Sequence, residues 1–257
     1  NNTEHAASLF GLKEFGNIYS RLGNPTVGAL EARLTDLEEG AMCVALSSGT
    51  SAVMYSLINI MSQGDNFVTA NQLYGGTYTM FDNILPEYGI DSKKVDITDL
   101  KAVEDAIDDK TRAIYCETIT NPGLVVADVT ALSEIAHSKG IPLIVDATFT
   151  TTAIQKSFEF GADIIVYSLT KWMSGHGRVI AGAVIEKGGF DWGNGNFPLY
   201  DKPDTSYGGM RWGHDLGDLS NVAYSLRLRT VPLRNLGANM SPETAFEVMS
   251  GLETLGL

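Results

Sequence analysis

The feature that most constrains the fold is a regular alternation of two kinds of segment between residues 41 and 185. Short runs rich in Val, Ile and other strand-forming residues alternate with longer stretches of helical periodicity. Such alternation is typical of an α/β domain with a mostly parallel sheet, because each helix returns the chain to the start of the next strand. Seven runs are candidate strands: MCVALS, NFVTA, KKVDI, RAIYCET, PLIVDA, ADIIVYS and IAGAVIE.

The intervening segments predict helices over residues 50–61, 77–88, 100–107 and 129–139. Residues 187–212 are rich in Gly, Asn, Asp and aromatic side chains without clear periodicity, which predicts a long ordered loop.

Both ends of the sequence fall inside a secondary-structure pattern and not at its boundary. The last 17 residues, SPETAFEVMSGLETLGL, predict a helix for which Ser241 and Pro242 suit the cap and first turn. This helix pattern runs up to Leu257, and Asn1 begins the chain without an initiator Met. We therefore expect the sequence to be a fragment of a longer protein.

Charge and hydropathy narrow the class of partner. The chain has 31 acidic and 18 basic residues, a formal net charge of −13. Such a charge repels nucleic acid and anionic lipid, so neither is an expected partner. The apolar runs are about half the roughly 20 residues that a membrane span needs, and no basic-then-apolar leader opens the sequence. These observations predict a soluble, cytoplasmic protein.

Lys171 follows the predicted strand ADIIVYS, at the strand end where open α/β sheets collect their chemistry. A lysine that forms an imine must spend time neutral, which desolvation and nearby cations favour by lowering its pKa. Most lysines are instead solvated surface charges. Ser168 and Lys171 also match the S-x-x-K pair of serine acyl-transferases, but the SDN and KTG elements of those enzymes do not occur in this sequence.

Asp146 ends another candidate strand, after the run IPLIV. A buried carboxylate needs a partner, because an unpaired charge in a dry site costs several kcal/mol. Asp146 is either a cap or turn residue or the partner of a cationic ring nitrogen. Because Asp146 and Lys171 follow successive strands, we expect them to reach one ligand from two sides.

Hydroxyl groups and glycines follow two further strands. Residues 47–51 (SSGTS) open a predicted helix, where free N–H groups and the helix dipole favour an anion such as phosphate; Ser168 and Thr170 add hydroxyl donors. A Ser/Gly cluster is otherwise a common helix cap. Tyr74 precedes two glycines in YGGT, and its ring can stack on a planar ligand or pack locally. Glu117 and Asn121 lie in CETITNP, at the end of the candidate strand RAIYCET.

Together these segments resemble the Cys/Met-metabolism family of pyridoxal 5'-phosphate (PLP) enzymes, which have the aspartate-aminotransferase fold. The resemblance runs from YSRLGNPT through LSSGTSA, YGGT, ETITNP, VDATFTT and YSLTKWMSGHG to GLETLGL. It implies a three-layer αβα sandwich around a seven-stranded sheet. It also implies an N-terminal arm at residues 1–30 that contacts a neighbouring subunit, a PLP-binding large domain at 31–237, and the start of a C-terminal domain at 238–257.

The resemblance also implies a role for each candidate residue. Lys171 is expected to be the Schiff-base lysine and general base, Asp146 the partner of the pyridine nitrogen, and Tyr74 the stacking ring and a possible general acid. The remaining implied cofactor contacts are Ser48, Gly49, Thr50, Ser168 and Thr170 at the phosphate, Glu117, Asn121 and Thr148 around the ring, and Tyr19 and Arg21 at the phosphate of a neighbouring subunit.

Within the family, the form SLTKWxxGHG, the inserted FPLYDKPDTSYGG and Gly76 in place of a cysteine favour enzymes that act on O-acetyl-L-homoserine. The implied reaction is γ-replacement by sulfide or a thiol, which gives homocysteine or methionine and acetate. The implied assembly is a homo-oligomer, a dimer of dimers. Cystathionine γ-synthase or lyase and methionine γ-lyase activities stay open, as does a cofactor-binding fragment that lacks the substrate-binding domain.

Overall fold

The computed structural model describes residues 2–11, 14 and 16–257. Asn1 and residues 12, 13 and 15 of the predicted arm lie outside this part. The strands are β1 Met42–Leu46, β2 Asn66–Ala70, β3 Asp91–Val95, β4 Thr111–Glu117, β5 Leu143–Asp146, β6 Ile164–Tyr167 and β7 Gly182–Glu186. The α-helices are α1 Thr3–Phe10, α2 Pro25–Glu38, α3 Gly49–Ile58, α4 Gly75–Thr79, α5 Leu100–Asp105, α6 Val129–Ser138, α7 Thr151–Ile154, α8 Pro198–Asp201, α9 Ala223–Leu228, α10 Arg234–Leu236 and α11 Pro242–Leu252.

The seven strands form one sheet in the order β1-β7-β6-β5-β4-β2-β3. Only β7 runs against its neighbours, so the other six strands point the same way and end at the same edge. Every residue of β2, β6 and β7 is buried, as expected when helices cover both faces of a sheet. The predicted seven-stranded, mostly parallel α/β fold is confirmed.

The strand and helix predictions differ from the structure mainly at their ends. The largest strand difference is at KKVDI, where β3 begins two residues earlier, at Asp91, because it pairs with β2 from Asn66 to Ala70. The helix predicted over 77–88 is instead α4, then a π turn at Met80–Ile84 and a 3-10 turn at Leu85–Tyr88. Pro86 explains the change, because it has no N–H to continue the α-helical bonds.

The loop predicted over residues 187–212 is ordered and contains α8 and a 3-10 turn at Thr205–Tyr207. Trp192 anchors it to the core, where its ring stacks on Tyr200 and Tyr224 at centroid distances of 5.0 and 5.1 Å. The predicted C-terminal helix is present as α11, capped by Ser241 and packed against α2. The division into arm, large domain and C-terminal start stays a prediction.

The longest helix, α2, begins at a cap that yields a stability prediction. The Asn24 side-chain oxygen accepts a hydrogen bond from Val27 N at 3.0 Å, and Pro25 occupies the first turn. We expect Asn24→Ala to lower the free energy of unfolding by about 1 kcal/mol, because a helix N–H loses its partner. Asn24→Ser keeps an acceptor oxygen and should retain most of the stability. Urea denaturation of both variants measures the difference; equal losses would contradict the capping role.

Candidate active site

The carboxyl ends of the six like-directed strands meet at one edge, and a cavity of about 630 Å³ opens there. Its lining includes every predicted site residue except Tyr19 and Arg21. The predicted residues in the lining are Ser48, Gly49, Thr50, Tyr74, Glu117, Asn121, Asp146, Thr148, Ser168, Thr170 and Lys171. Residues from five separate segments of the sequence therefore converge on one cavity.

The first side of the cavity is the start of α3, directly after β1. Ser48 caps this helix, and its hydroxyl accepts a hydrogen bond from Ser51 N at 3.0 Å. Gly49 lies so close to Ser168 that a Cβ on Gly49 would be 2.5 Å from the Ser168 Cβ. Gly182, at the start of β7, approaches the same turn, where an added Cβ would lie 2.1 Å from Ser48 O. Only glycine fits at either position without moving the backbone.

The floor of the cavity is formed by Asp146 at the end of β5. One Asp146 carboxylate oxygen accepts a bond from Thr148 N at 3.0 Å, and the other lies 3.3 Å from the Tyr115 hydroxyl, which donates to it. The Thr148 hydroxyl in turn accepts a bond from Ser168 N at 2.8 Å. These bonds join the ends of β4, β5 and β6. Burial raises the pKa of Asp146, and no cation among the described residues pairs with it.

Lys171 lies on an exposed turn after β6, and its backbone is held in place by neighbouring bonds. Lys171 O accepts a bond from Gly175 N at 3.1 Å, and Ser174 N donates to Leu169 O at 3.0 Å. Gly251 of α11 packs against this turn, since an added Cβ would lie 2.1 Å from Ser174 O. The C-terminal helix thus supports the segment that carries Lys171.

Thr170 departs from its expected role in one respect. Its hydroxyl donates to Ala181 O at 3.1 Å and accepts from Ala181 N at 3.0 Å. A threonine hydroxyl has one hydrogen, so this donor is engaged within the protein in the structure. Thr170 lines the cavity and links the Lys171 turn to the start of β7.

Tyr74 and Asn121 lie on two loops that are joined by Glu117. The Glu117 carboxylate accepts bonds from Tyr74 N at 2.7 Å and Asn121 N at 3.0 Å. Tyr74 is 49% exposed, and an added Cβ at Gly76 would lie 2.7 Å from its ring. Glycine at position 76 therefore leaves room for the ring in this position.

Tyr19 and Arg21 lie together but outside the cavity lining. The Arg21 guanidinium lies over the Tyr19 ring, 5.2 Å from its centroid, and Tyr19 is 61% exposed. Their predicted contact with a neighbouring subunit stays a prediction.

Several residues of the site were not singled out from the sequence. The apolar side chains of Phe149, Trp172 and Ile180 line the cavity, and Tyr115 donates to Asp146 beneath it. Two signals were present: Trp172 directly follows Lys171, and Tyr115 lies two residues before Glu117, on the same face of a strand.

The comparisons with known proteins add the family. A profile described as Cys/Met metabolism PLP-dependent enzyme matches residues 1–257. The chain belongs to this family.

Curated relatives of this Cys/Met-metabolism chain are about two-fifths identical to it in sequence. It is 43% identical over 261 residues to an O-acetyl-L-homoserine sulfhydrylase of Leptospira meyeri, covering 100% of this chain and 59% of the relative. It is 42% identical over 257 residues to a homocysteine synthase of Schizosaccharomyces pombe, covering 99% and 59%. The chain thus spans about three-fifths of the length of these curated relatives.

Solved structures agree with the family assignment. A putative O-acetylhomoserine (thiol)-lyase of Campylobacter jejuni, containing N'-pyridoxyl-lysine-5'-monophosphate, is 39% identical with a TM-score of 0.94, covering 99% of this chain and 63% of that one. An O-acetylhomoserine sulfhydrylase of Wolinella succinogenes is 36% identical with a TM-score of 0.79, covering 92% and 65%. The fold is that of the fold type I PLP enzymes.

The residues of the cavity fit the family's cofactor. Asp146 is a partly buried carboxylate that no cation among the described residues pairs with, and this environment suits a protonated ring nitrogen. The turn at Gly49 has no room for a Cβ and begins a ten-residue helix, which suits a phosphate group. Lys171 supplies the amine in the same cavity.

None of the helices in residues 2–11, 14 and 16–257 has both the length and the apolar content to cross a bilayer.

Proposed function

We propose that this protein catalyses PLP-dependent γ-replacement on O-acetyl-L-homoserine, using sulfide or a thiol and releasing acetate. The observation that carries the proposal is the convergence of Lys171 and Asp146 on one cavity beside the Gly49 turn. The names of the relatives support the choice of substrate, since they include O-acetyl-L-homoserine sulfhydrylases and a homocysteine synthase.

The predicted residues would hold the cofactor by its separate parts. Asp146 would hold the charged ring nitrogen, and Ser48, Gly49, Thr50, Ser168 and Thr170 the phosphate. Tyr74 and Thr148 would contact the two ring faces, with Asn121 near the ring hydroxyl. When bound, PLP supplies an electron sink that stabilises negative charge next to the amino-acid nitrogen.

The protein's own part is to bind, orient and move protons. The Lys171 amine would hold the cofactor and would accept the proton from the substrate Cα. Asp146 stays available for a cationic partner, because no cation in the part of the chain that the structure describes pairs with it. The apolar side chains of Phe149, Trp172 and Ile180 give the cavity an apolar wall beside the reacting groups. Tyr74 is placed to donate a proton to the leaving group.

A substrate comparison tests the proposal. The full chain with PLP is incubated with O-acetyl-L-homoserine and sulfide, and homocysteine and acetate are measured. We expect equal amounts of both products, at a rate at least about tenfold above that with L-methionine or cystathionine. Faster elimination from L-methionine would favour a γ-lyase. Bound cofactor without any turnover would overturn the enzymatic proposal and favour a cofactor-binding fragment.

The assembly is part of the same proposal. Because Tyr19 and Arg21 lie outside the cavity lining, we infer that they complete the phosphate site of a neighbouring copy in a homo-oligomer. The dimer of dimers and the cytoplasmic location stay predictions.

A further inference from the structure

The Glu117 side chain bonds to the backbone of both loops that carry the proposed cofactor residues Tyr74 and Asn121. Its Oε1 accepts a hydrogen bond from Tyr74 N at 2.7 Å, and its Oε2 accepts one from Asn121 N at 3.0 Å. Tyr74 and Asn121 are 47 positions apart in sequence and lie after different strands. Their relative position therefore depends on a shared carboxylate.

The position of Glu117 follows from the sheet. It is the last residue of β4 and is paired in register with Asp146, the last residue of β5. The side chain is only 5% exposed. Burial, and secondarily the neighbouring Asp146 carboxylate, raise the pKa of Glu117 to about 7, while the two backbone bonds oppose this rise. Ionised Glu117 is thus held by the amides of the two loops.

We propose that Glu117 is a positioning residue that acts through the backbone amides of Tyr74 and Asn121. Glu117 thereby sets the distance between the Tyr74 ring, which would stack on the cofactor, and the Asn121 side chain, which would lie near the cofactor's ring hydroxyl. This differs from the role that family resemblance assigns to Glu117, a contact near the ring, and it rests on the proposed cofactor site.

The chemistry of the amide variant makes the proposal testable. In Glu117→Gln one carboxylate oxygen becomes an NH₂ group, which cannot accept from a backbone N–H. One buried N–H then loses its partner. We expect amide hydrogen exchange at Tyr74 or Asn121 to become about tenfold faster or more, and the Kd for PLP to rise by a similar factor.

Glu186 offers a matched control. It is 2% exposed, and burial raises its pKa to about 7 as well. It too accepts from two backbone amides, those of Tyr224 at 3.3 Å and Ser225 at 2.9 Å. Because β7 is antiparallel, Glu186 lies at the opposite edge of the sheet from the cavity. Glu186→Gln should lose comparable stability but leave the Kd for PLP within about twofold.

Three results distinguish positioning by Glu117 from direct action on the cofactor ring and from a general loss of stability. Unchanged exchange at both Tyr74 and Asn121 in Glu117→Gln overturns the proposal. A weaker PLP affinity with unchanged exchange means that Glu117 acts directly on the ring, which also overturns it. An equal loss of PLP affinity in Glu186→Gln shows a general loss of stability rather than positioning.

A second measurement needs no variant and no cofactor. The amide NMR signals of Tyr74 and Asn121 in the full chain should titrate together, with one midpoint near 7. The titratable groups around Glu117 are Asp146 from β5, Tyr115 and Cys116 on its own strand, and Tyr74 and Lys171 across the cavity. Thr148 N donates to Asp146, so its signal reports that carboxylate separately.

The direction in which amide exchange changes with pH follows from the two carboxylate oxygens of Glu117. Above the midpoint both oxygens of ionised Glu117 accept, so both amides should exchange more slowly; below it one oxygen carries a proton and protection should fall. Different midpoints for Tyr74 and Asn121 overturn the positioning role. Failure of the wild-type chain to bind PLP instead overturns the proposed function, and leaves the cofactor-free titration as a test of the backbone contacts.

Discussion

Lys171→Ala is expected to lower turnover by roughly a thousandfold or more while leaving the fold intact. The side chain supplies both the covalent attachment of the cofactor and the amine that moves the substrate proton, so no other described residue replaces it in the proposed mechanism. Because Lys171 is exposed, its truncation should change the free energy of unfolding by less than about 0.5 kcal/mol. Steady-state kinetics and urea denaturation of the same preparation measure both quantities.

Covalent labelling gives an independent readout of Lys171. Borohydride treatment of the cofactor-loaded wild-type chain should leave a cofactor-derived mass on the peptide containing Lys171, and the variant should carry no such label. Exposed Lys202, on the loop after α8, is the control, and Lys202→Ala should retain both label and turnover. A label found on another lysine of the wild-type chain would disprove the assignment.

Gly49→Ala is expected to have the second largest effect, through packing rather than chemistry. The added Cβ would lie 2.5 Å from the Ser168 Cβ and 2.8 Å from the Ser168 Cα, so the backbone must move. Overpacking of this kind costs about 1–3 kcal/mol of stability. Because the displaced turn is the proposed phosphate site, we also expect the Kd for PLP to rise by at least about tenfold.

Gly75→Ala is the matched control for stability. Gly75, like Gly49, is the first residue of a helix that follows a strand, but no described atom lies within 4 Å of an added Cβ there. Urea denaturation should show a change of less than about 0.5 kcal/mol in this control. If Gly49→Ala matched the control in both stability and PLP affinity, the close contact with Ser168 would not be required.

Much of the fold was predictable because its signals are local. Most of the strand runs are short and apolar, and a polar residue at or after the run marks the strand end. The end of β5 at Asp146 was predicted within one residue, and β2 was predicted without error. The helix predicted over 77–88 was wrong in type after Thr79, because the effect of Pro86 on the preceding turns depends on the packing of the whole segment.

The site was predicted less completely than the fold. Lys171, Asp146 and Tyr74 were found because each lies at the end of a strand or beside a glycine pair that can be identified in the sequence. The bond from Tyr115 to Asp146 and the pairing of Glu117 with Asp146 depend on the register between β4 and β5. Because α6 separates β4 from β5 in the sequence, this register depends on contacts between distant segments.

The sequence by itself determined the alternating α/β architecture, the polar residues at the strand ends and the family. These depend on the periodicity of apolar residues and on short motifs, which act over a few positions of the chain. Only the tertiary structure decided that Gly49 abuts Ser168, that the Thr170 hydroxyl is bound to Ala181, and that one carboxylate at Glu117 holds two loops. Those contacts arise because six strands end at one edge, which brings distant residues within bonding distance.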